Sequence, residues 1–89
     1  MEIKWTEYVR YRVTLRGFDL EKVEEILRYS DERYYDSSTN RRITVGRHGK
    51  QLVIIPYEED HGMIKPVTIH TTTRQQIKYR LKVGRFINE

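Results

Sequence analysis

Hydrophobic and polar positions change their period along this chain, and each period points to an element. From Tyr8 to Leu15 the apolar residues recur at helical spacing: Tyr8, Tyr11 and Leu15, with Val9 and Val13, make a broad face. Thr6 stands where an N-cap belongs and Gly17 where a left-handed stop belongs, so the spacing predicts a helix from Thr6 to about Arg16. Asp19 predicts a second cap. The helix after it, Leu20 to Tyr29, carries Glu21, Glu24 and Glu25 near its positive end and turns Val23, Ile26 and Leu27 inward. Before both helices, Ile3 and Trp5 alternate with charged residues, the pattern of a short edge strand over Glu2–Trp5.

From Arg33 onward the period is that of strands. Asp36–Asn40 reads as a turn between Tyr34-Tyr35 and Arg42–Val45. His48-Gly49 suits a two-residue hairpin turn that pairs Arg47 with Lys50, Val45 with Leu52 and Ile43 with Ile54, setting the four apolar residues on one face. Glu58–Gly62 is the next turn. Val67–Thr71, β-branched except for His70, predicts a further strand. Pairing Ile54 with Val67 and Leu52 with Ile69 would put Gly46, Gln51 and His70 side by side on the opposite face. Glycine there would leave room for a ligand. Pro66 implies that this strand is an edge or turns its nitrogen outward.

Thr72 or Thr73, with Gln75 or Gln76, then offers a capping box for a last helix. That helix has Ile77, Leu81 and Gly84 on one side and Arg74, Lys78, Lys82 and Arg85 on another. The expected architecture is α+β over residues 1–89 as a single domain. It has an N-terminal helix pair, an antiparallel meander of about four strands, and a C-terminal helix packed on the sheet.

Composition narrows the function. A chain of 89 residues buries only about two-thirds of its unfolded surface, so its stability is modest without a partner. It has no cysteine, which excludes disulfides and thiolate metal sites and suits a reducing cytoplasm. No apolar run has the length of a membrane span, so a cytoplasmic protein without membrane association is expected. The formal net charge of +4 suits an anionic partner. There is no Gly-rich phosphate loop and no HxxxH spacing, so neither a metal nor another cofactor is expected.

The expected register brings His70 to the end of the sheet that carries Arg47, His48 and Lys50, where the last helix begins and adds Arg74. A phosphodiester is the natural anion for such a place. RNA cleavage needs a base for the 2′-hydroxyl, an acid for the leaving oxygen and positive charge on the phosphorane. His70 is the candidate general base or acid, because imidazole titrates near neutrality and a helix N-terminus favours its neutral form. His48 or a tyrosine is the candidate second proton carrier. Arg47, Lys50 and Arg74 are candidates to hold phosphate oxygens, and Arg42, Gln51, Lys78, Lys82 and Arg85 extend the surface for RNA. Tyr57, Tyr79 and Phe86 are candidates to stack on unpaired bases.

Plainer readings stand beside these. His70 can serve a loop carbonyl, the cationic stripe can be a solvated face, and His61 reads as exposed in an acidic turn. A non-catalytic module for RNA or DNA, or a protein-interaction domain or homodimer using an exposed edge strand, has the same composition.

The order of parts resembles the RelE-like messenger-RNA interferase toxins, in particular the BrnT branch. Ile3-Lys4-Trp5 and Arg16-Gly17-Phe18-Asp19-Leu20-Glu21 resemble the BrnT opening. Arg42-Ile43-Thr44-Val45-Gly46-Arg47 is similar to that family's Arg-Phe-Ile-Thr-Ile-Gly strand, and Val67 to Gln76 occupies the place of its ending. Trp5, Gly17, Gly46 and Thr73 match. His70 stands where the family has arginine, Gln76 where it has glutamate and Arg16 where it has histidine. The resemblance implies a ribonuclease toxin neutralised by a cognate antitoxin protein.

Overall fold

The computed structural model describes residues 2–89, so Met1, the first residue of the expected domain, lies outside the described residues. Thr6 caps α1 (Glu7–Leu15) by accepting from the Val9 N–H, and Asp19 caps α2 (Leu20–Tyr29) by accepting from the Glu21 N–H. Gly17 takes φ +76° between them. Both helices start and stop at their local signals, because a cap is satisfied within a few residues of chain.

The fold is α+β, with a mixed sheet of seven strands where about four were expected. Its strands are β1 (Glu2–Ile3), β2 (Arg33–Asp36), β3 (Arg41–His48), β4 (Gln51–Asp60), β5 (Met63–Pro66), β6 (His70–Thr72) and, after α3 (Arg74–Lys82), β7 (Phe86–Asn88). Their order is β1-β5-β4-β3-β2-β7, with β6 also on β4. The first pair, β1 with β5, is parallel and the other pairings are antiparallel. Pro66 sits past the reach of β1, which pairs only with Met63 and Ile64, so its missing N–H costs no ladder bond there.

The sheet has a core on each face. Val53, Ile55 and Tyr57 of β4 meet Val9, Val13, Val23, Ile26 and Leu27 of the first two helices, and Ile69 joins them. Ile43, Val45, Leu52 and Ile54 meet Tyr34, Ile77 and Phe86, with Leu81 against them. Burial on both sides explains the unbroken run Leu52-Val53-Ile54-Ile55.

Two registers differ from expectation. The β3–β4 turn is Gly49-Lys50, with Gly49 at φ +62°, so His48 opposes Gln51 and Val45 opposes Ile54. Glycine, and not histidine, takes the first turn position because that backbone needs positive φ. This slip of two residues changes partners but keeps faces, so Ile43, Val45, Leu52 and Ile54 share a core as expected.

The second difference changes faces. Residues Val67–Ile69 leave the strand, the Val67 N–H bonding the Pro56 carbonyl, and pairing resumes as β6 with His70 opposite Ile54. Ile69 thereby enters the core under α1 and α2, and His70 turns away from the Gly46 face. Gly46 itself opposes Val53, and the space over it belongs to Ile26: an added Cβ would lie 2.5 Å from Ile26 Cγ2. The glycine makes room for α2 and not for a ligand.

Candidate functional site

His70 is exposed at the side of β4, and the charges around it come from α1, far off in sequence, and from α3, which follows it. Arg16, the C-cap of α1, donates through Nη1 to the Ile69 carbonyl and lies 3.1 Å from His70 Nδ1. A guanidinium has no acceptor, so Nδ1 is the accepting nitrogen and the neutral ring carries its proton on Nε2. Partial burial, then the charges of Arg16, Arg12 and Arg80, hold the His70 pKa below its ordinary 6.5. The ring is therefore neutral at pH 7.

The hollow under His70 has a volume of about 240 Å³ and a floor of Ile43, Ile54, Pro56 and Phe86, with Arg41, Arg80 and Arg85 around it. Arg85 holds buried Asp36 through two bonds of 3.1 Å, Nε to Oδ1 and Nη2 to Oδ2. Burial alone would raise the Asp36 pKa; the Arg85 bonds, the Ser38 N–H and Thr39 outweigh it and lower it. Arg85 is thus tied to a carboxylate rather than offered to a ligand.

A second hollow, of about 320 Å³, opens at the N-terminus of α3 between Arg47, Lys50, Gln51, Leu52, Thr72 and Arg74. The helix start is sealed by a capping box in which Thr73 accepts from the Gln76 N–H and Gln76 accepts from the Thr73 N–H. Arg74 extends from its first turn to Glu32 at 2.6 Å. Desolvation would raise the Glu32 pKa, but bonds from Arg74 and Tyr34 lower it. Burial, followed by that same bond, pushes Tyr34 up to about 12. Arg47 and Lys50 make no ion pair among the described residues.

The expected cluster is therefore divided. Arg47, Lys50, Gln51 and Arg74 do come together, while His70 lines the neighbouring hollow, and Thr71 borders both. The strand break that turned His70 over separates them. His48 is occupied: its Nε2 accepts from the Asp19 N–H at 2.8 Å and its ring meets Phe18 edge-on at 5.1 Å. It latches the β3–β4 hairpin to the start of α2, which removes it as a free proton carrier.

Arg42 lies elsewhere, bonded to Glu89 at 2.9 Å with Glu59 at 3.9 Å. Lys78 and Lys82 are exposed along α3. Tyr57 and Phe86 are buried and cannot stack on a base from solvent, whereas Tyr79 is 65% exposed. His61 is exposed, as expected, beside Asp60 at 2.7 Å.

Sequence reasoning missed Arg12, Arg16, Arg41 and Arg80 as site residues. Arg16 and His70 are 54 positions apart, and no local pattern reports such a meeting. Its one signal was the place of Arg16 beside Gly17, in a stretch already singled out by resemblance. No helix among the described residues is long and apolar enough to cross a membrane. No family model, curated protein or solved structure matches the chain.

Proposed function

We propose that this protein binds single-stranded RNA and cleaves it without a metal, as a small ribonuclease toxin of the RelE-like kind. The observation that carries the reading is a neutral imidazole among Arg12, Arg16 and Arg80, one residue from a groove with two cations that make no ion pair among the described residues. The RNA backbone lies along Arg47 and Lys50, with Arg74 held beside them by Glu32. The scissile phosphate reaches His70, and Arg16 swings from Nδ1 onto a phosphate oxygen. Nδ1 then takes the 2′-hydroxyl proton, the 2′-oxygen attacks phosphorus, and the 5′-oxygen leaves with a proton from water. Arg16 and Arg80 offset the phosphorane charge. A cognate antitoxin would bury this surface.

A second reading has its own support. While Arg16 stays on Nδ1 the ring can only donate, which suits binding without cleavage.

The test incubates purified wild-type, His70→Ala and Arg16→Ala proteins with labelled single-stranded RNA. Cleavage that falls at least 100-fold in His70→Ala, with RNA binding and melting temperature retained, is expected. Equal cleavage by His70→Ala would remove this residue from the chemistry, and binding without cleavage by the wild type would leave the non-catalytic reading.

A further inference from the structure

The hollow under His70 has a chemistry that the phosphate groove lacks. Its floor is apolar, from Ile43, Ile54, Pro56 and Phe86, and Asp36 is already satisfied by Arg85. Of the guanidinium groups on its wall, Arg80 has no acceptor among the described residues and Arg41 is only loosely held. Arg41 has only a long ion pair, Nε to Glu58 at 3.7 Å, which is not a hydrogen bond, and its side chain is 39% exposed. Arg80 has its charge 5.5 Å from the centre of the Phe86 ring and no acceptor among the described residues. Arg80 therefore has donors to offer an anion in the hollow, and Arg41 adds positive charge beside it.

We propose that this hollow is a subsite for one unpaired nucleotide of the RNA. The base lies flat against Pro56 and Val67, and its phosphate bonds Arg41 and Arg80. The inference rests on the RNA reading and deepens it by naming the unit held beside His70. At about 240 Å³ the space falls below the roughly 300 Å³ where small-molecule clefts begin, so it takes one ring system and excludes a stacked pair. The apolar floor asks for a flat body as well as a charge, and so separates a nucleotide from a bare phosphate.

The test is an amide-resolved NMR titration of the full chain with AMP, CMP, GMP and UMP, each alone, alongside adenosine, uridine and inorganic phosphate. At least one nucleotide should saturate shifts at Ile54, His70, Arg80 and Phe86. The nucleosides and inorganic phosphate should bind at least tenfold more weakly. Arg41→Met and Arg80→Met should each weaken the nucleotide at least tenfold, while Arg42→Met, at a residue held by Glu89 outside the hollow, leaves it unchanged. Melting curves establish that each variant is folded; where Arg80→Met is not, Arg80→Gln replaces it.

Inorganic phosphate binding as tightly as every nucleotide would overturn the proposal, as would the absence of shifts at these four residues. Nucleotide binding by a protein that ignores RNA would refute the RNA reading and leave the pocket. RNA binding with no nucleotide response would do the reverse.

Discussion

A guanidinium can only donate, so the approach of Arg16 to His70 Nδ1 fixes how this imidazole is protonated. The pKa depression follows from partial burial and from Arg16, Arg12 and Arg80 together. Followed by NMR, the His70 ring should titrate with a midpoint below 6.5, and Arg16→Gln should move that midpoint upward. A wild-type midpoint at or above 6.5 would contradict the charge cluster. The sign for stability is the same: the neutral form is favoured on folding, so this contribution is complete above 6.5 and is lost as pH falls through the depressed value. At this scale little was legible beforehand. His70 stood out by residue type, but its partners come from α1 and α3, which reach it only in the folded chain.

The elements were more legible, and the reason is locality. Thr6, Asp19 and Thr73 cap helices where their spacing placed them, because each satisfies backbone within three residues of itself. Strand faces followed from alternation, which survives a slip of two residues at Gly49-Lys50 and fails where Val67–Ile69 leave the ladder. Composition gave no warning of that break, since β-branched residues suit a strand or a buried loop alike. The same level shows why Gly46 is glycine. Gly46→Ala should destabilise the protein by about 1–3 kcal/mol in chemical denaturation, the usual cost of overpacking. Shortening the neighbour in Gly46→Ala/Ile26→Ala should lower that penalty relative to Ile26→Ala alone. A neutral Gly46→Ala would show that α2 is free to shift.

Across the whole molecule, charge is sorted by the fold rather than by net count. Arg33 lies under α2, bonded to the Ser30 carbonyl, Thr44 and Tyr57, and Arg42 is held by carboxylates, so neither contributes to an RNA surface. Asp36 occupies Arg85. Among the described residues, Arg47 and Lys50 are left without ion pairs at one end of the sheet, with Arg74 beside them. A net charge of +4 raises the expectation of an anionic partner without locating a site for it, because location depends on which cations the carboxylates absorb.

Counterion release gives that location a direct readout. Single-stranded RNA binding is measured by anisotropy across a salt series for the wild type and for Arg47→Gln/Lys50→Gln. Two phosphate contacts contribute a log–log slope of about 1.4, and the double variant should lose about that much. An unchanged slope in the variant, or no RNA binding by the wild type at low salt, would contradict a phosphate groove between the hairpin and α3.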